Sequence, residues 1–218
     1  MHALADDRNI SPAGLQIREP GLVEYEPTWH AMREFSSMRD AQSADEIWYL
    51  QHPPVYTLGL NGKPEHILDA GTIPVVNVDR GGQVTYHGPG QLVVYLLLDL
   101  QRRNLGVKQF VALIEQVLID TLADYAIAGE RKAGAPGIYV ANSKIAALGL
   151  RIRRGCSYHG LALNIDMDLA PFTHINPCGH ADMRVTQIAD LCPDKPSLAD
   201  VQTRLHRHLL RHLGYNSR

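Results

Sequence analysis

Residues Pro74–Leu100 read PVVNVDRGGQVTYHGPGQLVVYLLLDL, and this stretch decides the fold that we predict. Two apolar runs, PVVNV and QLVVYLLLDL, are typical of buried strands, and they enclose the glycine-rich segment Arg80–Gln91. Its four glycines allow backbone to come close to a neighbouring group. Because the segment also brings Arg80 and His87 to one place, we interpret it as the wall of a ligand site. A tight inter-strand turn with two bystander polar residues is the alternative.

The composition of the whole chain indicates one globular protein of moderate size. Its 218 residues are 45% hydrophobic and carry a formal net charge of −2, which allows a sizeable core and gives no electrostatic case for binding nucleic acid or a membrane surface. No apolar run approaches the roughly 20 residues that span a bilayer. Three cysteines without a CxxC pair, and a polar first stretch, favour the cytoplasm. We expect a single domain over 14–213, a flexible segment over 1–13, and a monomer.

Apolar periodicity predicts a mixed α+β fold, with a sheet of mostly antiparallel strands and helices packed on it. Helices are expected within Glu26–Gln42, with Trp29, Met32, Phe35 and Met38 on one face, over Val107–Ile127 before a stop at Gly129, and over Ser197–Gly214. Further strands are expected at Gly14–Gly21, within Glu46–Leu60 with a break at Pro53-Pro54, across a hairpin in Gly137–Gly155 that turns at Asn142-Ser143, and at Cys156–Asp168. The composition of Pro171–Arg184 favours a loop.

Cys178 is the best candidate for a nucleophile. It lies in HINPCGH, where Pro177 and Gly179 constrain the backbone into a turn that can present a thiol to a cleft. A thiol of ordinary pKa, about 8.5, is only a few per cent thiolate at neutral pH and needs a nearby ammonium or proton acceptor. Lys144, among small apolar residues at the start of KIAALGLRI, is a plausible partner, although most lysines are solvated surface groups. Packing is the simplest role for Cys156 and Cys192.

Other chemistries find weaker support in the sequence. His174, Cys178 and His180 are of the types that zinc accepts, but their spacing matches no common zinc motif and no fourth ligand is evident. The glycines and Arg80 suit an anion, yet neither a Walker pattern nor a GxGxxG opening a helix is present. His87 could act as a base, donate a hydrogen bond or simply occupy a turn. No GxSxG elbow occurs.

Three blocks of the sequence resemble the octanoyltransferase family of lipoate biosynthesis. They are RGGQVTYHGPGQLVVYLLLDL, SKIAALGLRIRRGCSYHGLALNIDMDL and INPCG, and the similarity extends from about Gly14 to Leu213. The resemblance implies a biotin/lipoate protein ligase-like α+β fold. It implies transfer of an octanoyl group from octanoyl-acyl carrier protein to a lysine of a lipoyl domain. Acceptors would be the lipoyl domains of 2-oxoacid dehydrogenase E2 subunits and the glycine cleavage H protein, and neither a metal nor a cofactor is implied.

The resemblance also assigns residues to the site. Cys178 would carry the acyl group as a thioester, and Lys144 would tune that thiol. The substrate pocket would be lined by Arg80, Gly81, Gly82, Gln83, Val84, Thr85, Tyr86 and His87, by Ala147, Leu148 and Gly149, and by Gly160, Leu161 and Ala162. An octanoyl chain needs a narrow apolar groove, and we expect the small residues Gly149, Gly160 and Ala162 to leave room for it.

Three rival functions remain to be separated from this one. An ATP-dependent lipoate or biotin ligase on the same fold would activate a free acid and would need no catalytic cysteine. A non-catalytic module that binds acyl carrier protein or lipoyl domains would tolerate loss of Cys178. A thioester hydrolase would release free octanoate without an acceptor.

Overall fold

The computed structural model describes residues 14–176 and 183–215, and these residues form ten strands and four helices. The strands are β1 Leu15–Leu22, β2 Asp45–Gln51, β3 Val55–Leu58, β4 Val75–Asn77, β5 Val84–His87, β6 Gln91–Leu97, β7 Glu130–Arg131, β8 Gly137–Val140, β9 Ser143–Arg153 and β10 Cys156–Asn164. The helices are α1 Tyr25–Met38, α2 Val107–Ala123, α3 Ile188–Leu191 and α4 Leu198–Leu213, with short 3-10 turns at Pro64–His66 and Ala170–His174.

Seven strands form a central sheet in the order β1-β2-β6-β10-β9-β8-β7. Among the described strands of this sheet, only β1 and β2 pair in parallel, so the expectation of a mostly antiparallel sheet is confirmed. β4, β3 and β5 form a second, three-stranded sheet. The apolar run after the glycine-rich segment becomes β6, and it is buried at every position because it lies in the middle of the larger sheet with both faces covered.

The alternation of side chains along β6 divides the core into two layers. Leu92, Val94 and Leu96 pack on one face with residues of α2 and α4. Val93 and Tyr95 point to the other face, where Met32 of α1 packs and where the small sheet lies. The site described below lies on this second face, between the central sheet and the glycine-rich segment.

Five local predictions need correction. The glycine-rich segment is not all loop, since Val84–His87 forms β5 and pairs with β3. Met38 is 75% exposed, because it is the last residue of α1 and lies beyond the sheet that covers the rest of the helix. α2 ends at Ala123, well before Gly129, because Ala126 takes a left-handed conformation with φ 58°.

The fourth correction concerns the hairpin between β8 and β9. Its turn residues are Ala141 and Asn142, one position earlier than predicted, and both have positive φ, 46° and 68°. That pair of values is the one that a two-residue type I′ turn requires. The fifth correction concerns the run PVVNV, which forms β4; this strand is not buried, because it is an edge strand of the small sheet. The break at Pro53-Pro54 is confirmed, since it separates β2 from β3. Ser197 caps α4, and its hydroxyl accepts from the Asp200 backbone N–H.

No helix in the described ranges combines the length and the apolar character needed to cross a bilayer.

Candidate active site

A cavity of about 320 Å³ lies between the central sheet and the glycine-rich segment. Its lining contains all of the predicted pocket residues except Tyr86: Arg80, Gly81, Gly82, Gln83, Val84, Thr85, His87, Ala147, Leu148, Gly149, Gly160, Leu161 and Ala162. Tyr86 does not line the cavity, and its ring instead lies 5.5 Å from the rings of Tyr56 and Phe172. Lys144 also lines the cavity, so the structure brings it together with the glycine-rich segment.

Small residues of β9 and β10 meet in register at the floor of the cavity. Ala147 pairs with Ala162, and Gly149 pairs with Gly160. The space beside each glycine is already occupied, however. A Cβ on Gly149 would lie 2.9 Å from Cδ of Arg80, and a Cβ on Gly160 would lie 2.0 Å from the carbonyl oxygen of Val94. These glycines therefore allow other parts of the protein to approach, and the two alanines are the small side chains of this floor.

Arg80 anchors the glycine-rich segment to the small sheet. Its guanidinium donates to the carbonyl of Thr57 at 2.7 Å, to the Thr57 hydroxyl and to the carbonyl of Gln83 at 2.8 Å. The N–H of Gly81 donates to the carbonyl of Leu150 at 2.9 Å, which ties the same segment to β9. The segment is thus held from both sides, and it places a permanent positive charge in the wall of the cavity.

Lys144 is buried at the start of β9, where backbone and side chain are both constrained. Its N–H donates to the carbonyl of Arg184 at 2.8 Å, and its carbonyl accepts from Thr186 at 2.9 Å. The Nζ atom lies 5.3 Å from the ring centroid of Tyr139. A Cβ on Gly137 would lie 2.9 Å from Cε of Lys144, so this glycine of β8 makes room for the lysine side chain.

The candidate nucleophile Cys178 lies outside the described residues, as does His180. Among the residues that the structure describes, no group of three His, Cys, Asp or Glu side chains is arranged to hold a metal ion. Cys156 and Cys192 are both buried, and neither lines the cavity. Burial raises the pKa of the Cys156 thiol, which disfavours the reactive thiolate. Beyond the undescribed stretch, Met183 and Val185 line the same cavity as Lys144.

Aromatic and histidine side chains form a wall that the sequence analysis did not foresee. The rings of Tyr25 and His87 stack at 5.8 Å, His52 lies 6.0 Å from His87, and Tyr95 lies 6.1 Å from His159. Of these residues only His87 was expected in the site. His159 stands directly before the Gly160–Ala162 block and could have been suspected, whereas no local pattern marks Tyr25 or His52.

Burial keeps these histidines neutral. It lowers the pKa of His52 to about 4 and that of His87 to about 3. The pKa of His159 is also lowered by burial, although a hydrogen bond to Asp79 opposes the shift. Burial would raise the pKa of Asp79 itself, but hydrogen bonds from His159, Tyr158 and Trp29 outweigh it and hold this carboxyl well below its usual range.

Comparison with known proteins agrees with the geometry of the fold. Residues 24–210 match the family model of the lipoyl protein ligase A/B catalytic domain. The chain is 58% identical over 201 residues to a protein of Ectopseudomonas mendocina (strain ymp) named octanoyltransferase, covering 92% of this chain and 98% of that one.

Two solved structures show the same fold at low sequence identity. One is a bipartite lipoate protein ligase of Thermoplasma acidophilum, solved in a study of that ligase and its E2 lipoyl domain, with a TM-score of 0.73 at 14% identity over 94% of this chain and 86% of that one. The other is the biotin protein ligase of Aquifex aeolicus in complex with biotin and ATP, with a TM-score of 0.59 at 11% identity over 92% of this chain and 70% of that one. The expected biotin/lipoate protein ligase-like α+β fold is confirmed.

Proposed function

The chain belongs to the octanoyltransferase family of acyltransferases, and on that premise we propose that it moves an octanoyl group from octanoyl-acyl carrier protein to a lysine of a lipoyl domain through a thioester on Cys178. The acceptors in this proposal are the lipoyl domains of 2-oxoacid dehydrogenase E2 subunits and the glycine cleavage H protein. The reaction would be the first step of endogenous protein lipoylation. The observation that carries the proposal is a buried lysine, Lys144, in the wall of a largely apolar cavity.

The cavity suits the acyl chain. Its floor is made by Val93, Ala147 and Ala162, and the far wall includes Phe172 and Val185, so methylene groups would meet mostly carbon. Burying an eight-carbon chain at about 0.8 kcal/mol per methylene contributes on the order of 5 kcal/mol to binding. That free energy would hold the chain in place while the carbonyl end reacts.

Lys144 suits the role of proton carrier for the thiol. In the first half-reaction the Cys178 thiolate attacks the donor thioester, and the donor thiol leaves; one C–S bond forms as another breaks. In the second half-reaction the acceptor amine attacks, the new C–N bond forms, and the Cys178 sulfur leaves. The proton lost by the amine has to reach the sulfur. Lys144, buried in the cavity wall, could accept this proton and pass it on.

Intact-protein mass spectrometry tests the proposal directly. After exposure to octanoyl-acyl carrier protein, the wild-type protein should gain one octanoyl adduct, and Cys178→Ser should gain none. Cys156→Ser and Cys192→Ser are matched controls that should keep the adduct, since both thiols lie away from the cavity. Lys144→Ala should abolish transfer to the lipoyl domain.

Three results would contradict the proposal. An adduct that survives Cys178→Ser would exclude this cysteine as the carrier. Robust transfer from free octanoate with ATP would identify an ATP-dependent ligase, which is the rival function on the same fold. Release of free octanoate without an acceptor would indicate a hydrolase instead.

A further inference from the structure

Two neutral histidines, His87 and His159, line the cavity, and a third, His52, lies beside His87. The hydrogen bonds around these rings decide where each one carries its proton. A backbone carbonyl or a carboxylate can only accept a hydrogen bond, so a ring nitrogen that faces one must be the N–H. This reasoning assigns the tautomer of each ring from its partners.

His52 has no nitrogen left for a ligand. Its Nδ1 faces the carbonyl of Val23 at 2.6 Å and therefore donates, and its Nε2 accepts from the hydroxyl of Tyr95 at 2.7 Å. Both ring nitrogens are satisfied within the protein, and His52 serves to hold Tyr95 in the wall.

His87 is held in the same tautomer as His52, in this case by two amide side chains. Asn164 donates through Nδ2 to the carbonyl of Thr186 at 3.0 Å, so its Oδ1 must face Gln91. Nε2 of Gln91 donates to Oδ1 of Asn164 at 2.9 Å and to the carbonyl of Tyr86. The other end of the same amide, Oε1 of Gln91, therefore faces Nδ1 of His87 at 2.7 Å. Nδ1 of His87 therefore carries the proton. Nε2 is an acceptor, and residues 14–176 and 183–215 provide it with no hydrogen-bond partner.

His159 presents a second acceptor. Its Nε2 faces Oδ1 of Asp79 at 3.0 Å and donates, so Nδ1 carries the lone pair. The residue is only 1% exposed, and Nδ1 has no partner in the described part of the chain. An unsatisfied buried acceptor is costly, which indicates that something outside the described residues completes it.

The backbone at His159 is strained in a way that brings this ring to the site. Its φ is 58°, a left-handed value within β10. Adjacent strand residues normally point to opposite faces, yet the side chains of Tyr158 and His159 both reach Asp79. The left-handed turn places the ring on the cavity face rather than among the residues packed against α2 and α4. Strain of this kind persists where the surrounding structure enforces it, commonly at ligand sites.

The two acceptors call for a ligand group with N–H donors. An octanoyl chain and a thioester have none. A neutral primary amine has two N–H bonds and one lone pair. Arg80 supplies a permanent positive charge to the cavity, and the described lining residues include neither aspartate nor glutamate, so an ammonium is disfavoured relative to the free amine. The free amine is also the form that attacks a thioester.

We propose that Nε2 of His87 and Nδ1 of His159 form an amine subsite, which binds the attacking lysine of the acceptor protein by accepting its two N–H bonds and leaves the nitrogen lone pair for the thioester. Asp79, Gln91 and Asn164 are positioning residues that fix the two tautomers. The inference rests on the proposed octanoyl transfer. It identifies the residues that bind the nucleophile, which is the lysine amine of the acceptor protein.

His159→Phe tests the subsite at its second acceptor. Phenylalanine keeps an aromatic ring of similar size in the wall and removes the Nδ1 acceptor. The two half-reactions are measured separately, by formation of the octanoyl-enzyme and by its reaction with a lipoyl domain and with butylamine. We expect acylation within about 2-fold of wild type and aminolysis slower by about 10- to 100-fold for both amines. His206→Asn, on the other face of the sheet, is the control and should change neither rate.

His87 supplies an independent pair of variants. His87→Gln keeps an acceptor near the position of Nε2 and should retain most of the aminolysis rate, whereas His87→Phe should lose it by about 10-fold or more. This pair decides the matter if His159→Phe fails to fold. The proposal would be overturned if folded variants lost both half-reactions equally. It would also be overturned if they lost acylation alone, because the two acceptors would then bind an amide N–H of the donor rather than the acceptor amine.

The tautomers can be measured without any enzymatic activity. Two-bond ¹H–¹⁵N correlation spectra of histidine-labelled protein should show the proton of His87 on Nδ1 and that of His159 on Nε2. The reverse assignment for either ring would overturn the subsite even if octanoyl transfer is correct. If the tautomers are as assigned but the wild-type protein forms no octanoyl-enzyme, the proposed function fails, and the amine subsite fails with it.

Discussion

Gly149 and Gly160 illustrate how one residue type serves different purposes in one site. From sequence, both were expected to leave room for an acyl chain. In the structure Arg80 occupies the space beside Gly149, and the β6 backbone at Val94 occupies the space beside Gly160. The resemblance to a family indicates that such glycines lie in the site. It does not say which neighbouring group occupies the space that a side chain would fill.

Buried histidines make the stability of the protein depend on pH. Burial lowers the pKa of His52 to about 4 and of His87 to about 3, whereas an unfolded chain titrates near 6.5. Between these values the unfolded chain binds protons that the folded protein excludes. The free energy of unfolding should therefore fall as the pH drops below about 6.5, by at most about 1.4 kcal/mol per pH unit for each histidine.

Urea unfolding at pH 7, 6 and 5 measures this dependence. His52→Gln should flatten it, and replacement of the exposed His30 by Gln is the control that should leave it unchanged. If the free energy of unfolding stays constant from pH 7 to pH 5, His52 and His87 are not buried in their neutral forms.

At the scale of an element, the β8–β9 hairpin brings Lys144 to the cavity. Strand β8 pairs with only the first residues of β9, and Lys144 is the second residue after the turn. The sequence predicted the hairpin but misplaced its turn by one residue, since Asn142-Ser143 looked like turn residues by composition. The register is decided by pairing with β8 and β10, which a local pattern does not contain.

Ala141 should be a weak point of this hairpin. Its φ of 46° is unfavourable for alanine and free of cost for glycine, so Ala141→Gly should raise the free energy of unfolding by about 1 kcal/mol. Ala135→Gly, at a turn position without positive φ, is the matched control and should lower it by about 0.5–1 kcal/mol. Thermal or urea unfolding compares the two. A decrease for both substitutions would argue against the left-handed turn.

At the scale of the whole molecule, the cavity exists because two sheets and a glycine-rich segment do not close on each other completely. Ala147 and Ala162 face it from neighbouring strands, and only packing of the small sheet against the central one defines its depth. Chain-length preference is therefore a property of the assembled layers rather than of any motif.

Filling the cavity should change which acyl chain is transferred. Ala147→Leu adds bulk at the floor and should lower kcat/KM for an octanoyl donor by about 10-fold relative to a butanoyl donor, because a longer chain meets the new side chain first. Ala199→Leu, exposed on α4, is the control and should leave the ratio unchanged. An equal loss for both donors would indicate that the chain does not lie over Ala147.

The amino-acid sequence by itself indicated most of the strands and helices, because apolar periodicity is a local property that survives without coordinates. Its resemblance to known sequences indicated the family and the proposal of Lys144 and Cys178, because it rests on residue identity alone. The tertiary structure alone decided which histidines can meet a ligand. A ring nitrogen is donor or acceptor according to its partner, and the partners of His87 and His159 come from distant parts of the chain: Gln91 is itself oriented by Asn164, and Asp79 belongs to the loop before the glycine-rich segment. Protonation in a buried site is set by such contacts, and no local stretch of sequence contains them.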